Sequence, residues 1–477
     1  MLMLVAFFVR GAMLSKVEVV HLDETYFIRL GEHLAEGGSF ADFNFSRVTY
    51  VGQPLLPCLF SWAGRAAKDP VRACQMVSLL FGVLTLIPFH LCARNLVSLP
   101  AAFGSDLVYV LSPYAVEYSL CAMPHSFFNF FFVSSLYFAL KSQKAGQSGS
   151  ALFMGGALCL AYLTRPEGIV FAAVLFAASL VLGVLRLSSL LIFLSSFAIF
   201  SIPYWIWIRK TTGVWQLIWS QGAGALGIYR EFVAGRSPAV FFTSYLRNLY
   251  FATSLLPKIL PLSLCLLIAL GLVEVLRKNR TSSRSIFIVI LFSSLPFFIY
   301  PAFLYVEARF LSPSAVLFTL FSGAGILAVW ESVKKWKATQ LVWPVLLILS
   351  FVPGYRSLLL SFREEPVEAR HLGEWIQGHL HQPQVLFGSD IRVCFYAGRN
   401  CKRYVSMRSG TSSFQNGISF EQWIRQENVD LVVADTRYIP KFFPSFQFLL
   451  DRIPKDQLER LVELTEGDQT ITLYRVR

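Results

Sequence analysis

Residues 168–208 read GIVFAAVLFAASLVLGVLRLSSLLIFLSSFAIFSIPYWIWI, two apolar runs at 168–184 and 188–208 parted by Arg186. A helix needs about 20 apolar residues to cross the hydrocarbon core of a bilayer. The stretch therefore reads as two membrane spans joined by a tight basic turn. Nine further runs of the same kind fall at 1–14, 73–93, 99–115, 124–140, 151–163, 256–276, 285–304, 309–330 and 339–360. The composition agrees: 55% of the chain is hydrophobic and only 15% charged, against about 25% charged in a soluble domain. Disordered, collagen-like and disulfide-scaffold classes are excluded with it. The predicted fold class is an α-helical polytopic membrane protein of about eleven transmembrane helices.

The net charge of +13 is informative through its placement. With the N-terminus cytoplasmic, the inner loops carry Arg94, then Lys141 and Lys144, then Arg186. Arg277, Lys278, Arg280 and Arg284 follow, and last Lys334, Lys335 and Lys337. That is the positive-inside pattern, so a nucleic-acid partner is not implied. The first run contains Arg10: either it is a tilted first helix whose arginine snorkels to the interface, or the start has lost a few residues. A real span is the preferred reading.

Two long external segments then remain, about 15–72 and about 209–255. In the first, residues 23–37 have helical spacing, with Tyr26, Phe27, Leu30 and Leu34 on one face and Gly37-Gly38 as a stop. That pattern predicts an amphipathic helix lying along the membrane surface. The transmembrane domain is expected over 1–362. Residues 363–477 turn soluble, with helical patterns near 366–380, 418–427 and 443–460 and strand-like runs at 385–387, 429–434 and 470–476. This predicts a small C-terminal α/β domain, placed extracytoplasmic by an odd number of spans. Cys394 and Cys401 lie in it, and either close a disulfide in an oxidising compartment or remain two buried thiols. No inverted pair of broken helices of the transporter kind is evident.

Chemistry is expected first at His21-Leu22-Asp23-Glu24, just beyond the first span. Acids at a helix start complement the helix dipole, and Asp is a good N-cap. At a membrane interface, a carboxylate can also serve as general base toward a hydroxyl. Asp23 and Glu24 point about 100° apart on a helix, which predicts separate jobs. No cofactor is called for, although His21, Asp23 and Glu24 form a donor set compatible with a divalent metal.

The run Asp23 to Gly38, DETYFIRLGEHLAEGG, resembles the first external loop of the GT-C integral-membrane glycosyltransferases. These include the protein O-mannosyltransferase and aminoarabinose-transferase relatives, which take sugars from polyprenyl or dolichyl phosphate. Tyr50 through Gln53-Pro54-Leu55-Leu56-Pro57 is similar to the family's entry into its next helix. Ser112-Pro113 to Phe132, Leu163-Thr164-Arg165-Pro166-Glu167-Gly168 and Glu307-Ala308-Arg309-Phe310-Leu311-Ser312-Pro313 follow in the family's order. The resemblance implies Asp23 as base, Glu24 as its orienting neighbour, and Arg309 and Arg165 as binders of the donor phosphate. Arginine presents a planar fork to phosphate oxygens. The bland alternatives are a helix-anchoring Arg309 and an Arg165–Glu167 pair at a span end. Tyr50, Glu307, His125 and Glu117 are further expected contacts to donor or acceptor. The chain departs from the family where relatives carry an acid and it has His125. Glu117, one to two turns earlier, is the candidate replacement.

The function expected from these readings is inverting transfer of a hexosyl or pentosyl group from a polyprenyl-phosphate carrier to a hydroxyl of a protein, glycan or lipid. The site and the C-terminal domain would face outward from a bacterial inner (plasma) membrane, among membrane lipids. The rival readings are a transporter or flippase of lipid-linked sugars, a lipid-linked oligosaccharide ligase or polymerase, and a noncatalytic assembly subunit.

Overall fold

The structure, a computed structural model, describes residues 1–40, 43, 54–143, 148–183, 185–213, 215, 238–278, 283–299, 308–334, 351–363, 366–406, 420–435, 458–466 and 469–476. The chain forms two compact units. One comprises Met1–Lys16, Val51–Leu59 and Arg72–Ser361; the other comprises Val17–Tyr50, Phe60–Val71 and Phe362–Arg477. The second unit thus takes in residues 17–50 and 60–71 besides the chain from Phe362 onward.

The first unit is helical. Among the described residues three helices are long and apolar enough to cross a membrane, Pro70–Leu96, Leu187–Lys210 and Arg309–Val333. Five shorter apolar helices accompany them: Leu2–Leu14, Leu99–Leu111, Gly149–Thr164, Glu167–Val181 and Arg284–Phe298. Most of the 339–360 run lies outside the described residues. Pro113 breaks the expected 99–115 run. It lacks an amide hydrogen and suits a helix start, so one helix ends at Leu111 and a short one, Pro113–Leu120, begins.

Small residues let these helices approach. In the helix Ser322–Val333, a Cβ on Gly323 would lie 1.7 Å from the Ala101 carbonyl oxygen, and one on Gly325 would lie 2.0 Å from that of Leu267. Ser105 seals the first contact: its hydroxyl donates to Leu320 O at 2.8 Å and accepts from the Gly323 amide at 3.0 Å. Without a hydrophobic force between helices in lipid, such close packing and interhelical hydrogen bonds are what hold a bundle together.

Two ionisable features are buried among these helices. Arg10 does not snorkel. It is wholly buried, its guanidinium 5.6 Å from the Tyr109 ring centroid and bonded to Ala6 O at 3.4 Å. Asp106, buried in Leu99–Leu111, meets His90 Nδ1 at 2.5 Å; a partner of this kind is what a carboxylate in an apolar helix requires.

The second unit contains a five-stranded sheet in the order β2-β1-β3-β5-β4. Its strands are β1 Gln384–Gly388, β2 Cys401–Ser406, β3 Leu431–Asp435, β4 Leu458–Glu466 and β5 Gln469–Val476. β2, β1 and β3 run parallel, and β5 and β4 complete the sheet antiparallel. Period-two alternation gives it two apolar faces. Leu386, Leu431, Val433 and Leu473 pack under the helices Val367–His379 and Ile391–Ala397, whereas Phe387, Val432 and Val405 pack under Phe420–Glu427. The helix expected near 443–460 is corrected where it is described: from Leu458 onward the chain is strand. Cys394 and Cys401 form a disulfide that ties Ile391–Ala397 to β2.

Helix Leu22–Ala35 also belongs to this unit, and Phe27, Ile28 and Leu30 on it are buried in protein. A Cβ on Gly31 would lie 2.8 Å from Phe60 Cβ. Arg29 donates to Glu32 at 2.7 Å and to the Phe395 carbonyl, with its guanidinium 4.9 Å from the Phe395 ring centroid. Tyr396 Oη accepts from the Val20 amide at 2.9 Å, and Arg370 donates to Glu18 O at 2.9 Å.

Candidate functional site

Four chain segments of the helical unit bring charge to one place. The helix Ser148–Thr164 reverses into Glu167–Leu182 through Arg165-Pro166. The Arg165 amide closes the first helix on Ala161 O at 2.9 Å, and the Gly168 amide closes the turn on Arg165 O at 3.1 Å. A Cβ at Gly168 would lie 2.4 Å from the Tyr162 amide nitrogen, so the reversal requires glycine there. It leaves Arg165 buried, with Nε and Nη2 donating to the two oxygens of Glu167 at 3.3 and 2.8 Å.

The third nitrogen, Nη1, meets His125 Nδ1 at 2.8 Å. His125 is buried at the start of the helix His125–Ser142, its ring 5.0 Å from that of Tyr118. The guanidinium also stands 5.4 Å from the ring centroids of both Phe128 and Phe310. Phe128 opens an aromatic stack that continues through Phe132, at 5.4 Å, to Phe171 and Phe292 at 4.4 and 5.3 Å. Arg309, in the 3-10 turn Ala308–Leu311, stands 5.4 Å from the same Phe310 centroid. One aromatic ring thus serves two guanidiniums, and Glu167 partly offsets the charge of Arg165.

Glu117 lies on Pro113–Leu120, in the connection between two apolar runs. Burial pushes its carboxyl up to about 7 because removal from water penalises the charged form. Among the described residues no hydrogen bond or ion pair reaches this side chain.

Asp23 and Glu24 belong to the second unit. Glu24 is buried, and its Oε1 accepts from the His21 amide at 3.1 Å, while His21 Nδ1 accepts from the Asp23 amide at 3.4 Å. This is a reciprocal capping box with histidine in the place usual for serine. Glu24 therefore secures the helix start, and Asp23 is the more exposed acid of the two. His21 and Glu24 are engaged in the cap, so they do not converge with Asp23 as a metal ligand set. No group of three His, Cys, Asp or Glu side chains gathers for a metal among the described residues.

The structure thus joins His125, Arg165 and Arg309 in one cluster and sets Glu117 on the helix before it. Tyr50 and Glu307 lie outside the described residues. Phe310 and Phe128 were missed in sequence, although Phe310 directly follows Arg309 and Phe128 lies one turn after His125.

No family model matches the chain, and no curated protein matches it in sequence. Solved structures do match in fold. The oligosaccharyltransferase of Archaeoglobus fulgidus, determined with Zn and sulfate, aligns over 91% of this chain and 68% of its own, at TM-score 0.65 and 13% identity. ArnT of Cupriavidus metallidurans bound to undecaprenyl phosphate aligns over 99% of this chain and 96% of its own, at TM-score 0.64 and 13% identity. The mycobacterial arabinofuranosyltransferase AftD aligns over 99% of this chain and 40% of its own, at TM-score 0.55 and 12% identity. The chain has the GT-C fold of these membrane glycosyltransferases.

Proposed function

We propose that this chain is an integral-membrane glycosyltransferase that moves a sugar from a polyprenyl-phosphate carrier to a hydroxyl acceptor on the extracytoplasmic face. The observation that carries the reading is the pair of guanidiniums, Arg309 and Arg165, around Phe310, in a fold shared with a transferase that binds undecaprenyl phosphate. Arginines in an apolar, partly dry setting suit a phosphate whose charge grows as it leaves.

In the proposed reaction, the acceptor oxygen attacks the anomeric carbon as the bond from that carbon to the phosphate oxygen breaks. The electron pair leaves with the lipid phosphate, and Asp23 takes the hydroxyl proton. A single displacement inverts the anomeric centre. Arg309 meets the phosphate, and Arg165, already committed to Glu167 and His125, holds Phe310 and the local field in place.

The test is transfer from a synthetic polyprenyl-phosphate sugar in detergent. Arg309→Ala is expected to raise the KM for the donor by on the order of tenfold or more. Asp23→Asn is expected to lower kcat by about 100-fold to 10,000-fold. Both variants should elute as folded wild type. Unchanged donor dependence in the first would remove Arg309 from the phosphate, and undiminished kcat in the second would remove Asp23 as base.

One observation favours the transporter reading: Arg10 and the His90–Asp106 pair are ionisable groups held within apolar helices. Reconstituted protein that moves a lipid-linked sugar across vesicles without forming a glycosidic bond would establish that reading instead.

A further inference from the structure

From the His125–Arg165 contact, we infer that His125 is a positioning residue: as a neutral acceptor it orients the Arg165 guanidinium, and through Phe310 the cationic shelf, for an anionic lipid phosphate. The inference rests on the donor reading above and names a control of that site.

An arginine side chain only donates hydrogen bonds and keeps its proton at every accessible pH. At 2.8 Å from Nη1, His125 Nδ1 must therefore be the unprotonated, accepting nitrogen, and the neutral ring carries its hydrogen on Nε2. Three of the five guanidinium N–H groups are then assigned, two to Glu167 and one to His125. Fixed in this way, the plane is held against Phe128 and Phe310, and Phe310 also supports Arg309. Protonating Nδ1 would replace the acceptor with a donor and set two cations against each other in a buried site.

The groups around His125 set the balance. Arg165 and, across Phe310, Arg309 oppose a second positive charge. Glu167 favours one, and Tyr118 presents its ring. On Ser283–Ile299, Arg284 adjoins Ser285, which bonds Gln143 at the far end of the His125 helix. Ser312–Phe318 carries no titratable side chain. The direct contact with Arg165 dominates and opposes that charge, so the ring stays the neutral acceptor.

The test measures undecaprenyl phosphate binding to full-length protein in detergent at about pH 7.5, with the histidine neutral. His125→Asn, whose amide oxygen accepts in place of Nδ1, is expected to bind within about threefold of wild type. His125→Leu should bind on the order of tenfold more weakly than His125→Asn. Binding by His125→Asn as weak as by His125→Leu, or wild-type binding by His125→Leu, would overturn the inference.

Nitrogen-15 spectra of lipid-free protein, with the His125 signal assigned by its loss in His125→Asn, separate the two readings. If wild type binds no polyprenyl phosphate, the donor reading fails; an Nε2–H tautomer at neutral pH still supports the orienting contact, and an Nδ1–H tautomer or an imidazolium refutes it.

Discussion

A buried guanidinium does what its partners allow. Arg165 is held by two Glu167 oxygens and one imidazole nitrogen, so it acts as a fixed point rather than a searching cation. Glu24 is similarly committed to its cap, whereas Asp23 beside it is more exposed. Glu117 lacks such a commitment, and burial raises its carboxyl from 4.5 to about 7. A carboxyl whose pKa is higher folded than unfolded binds its proton more tightly in the native state. The stabilisation is therefore complete below pH 4.5 and is lost as pH rises through about 7. Thermal unfolding in detergent should show wild type losing more stability than Glu117→Gln between about pH 5 and about pH 8. Parallel losses would mean that the carboxyl is solvated.

Among elements, the decisive contacts are those that admit no side chain. Helix Ser322–Val333 meets Leu99–Leu111 at Gly323, where a Cβ would collide with the Ala101 carbonyl. Gly323→Ala should therefore cost about 1–3 kcal/mol by forcing the helices apart, read as a lower Tm in detergent. An unchanged Tm would refute so close an approach. β1, β3 and β5 were legible from the β-branched and apolar runs at 385–387, 429–434 and 470–476, whereas β2, Cys401–Ser406, went unread. β4 was not legible either, because Leu458, Leu461 and Val462 also fit a helical spacing. Antiparallel pairing with β5, with an irregularity between Arg460 and Val462, overrides that local pattern. The cluster was legible only in pieces: Arg165 and Arg309 stood in ordered motifs, but their common ring and the tie to His125 join residues far apart in sequence.

At the scale of the whole molecule, charge placement predicts which end of each helix faces which compartment. Cysteines introduced at Lys402 in the second unit and at Lys334 after Ser322–Val333 should label from opposite sides of sealed vesicles, and one at Asp23 should label with Lys402. Labelling of Asp23 from the Lys334 side would invert the proposed topology and remove the base from the donor face.

Hydropathy, span length and basic loops are local properties judged against the bilayer as solvent, so the sequence alone determined that this is a mostly helical, membrane-type protein. Tertiary structure decided the rest. It turned Arg10 inward against Tyr109, covered the Leu22–Ala35 helix with Phe60 and Phe395, and set His125 against an arginine forty residues later. Each of these depends on which distant side chain removes a polar group from water, and no window of neighbouring residues contains that information.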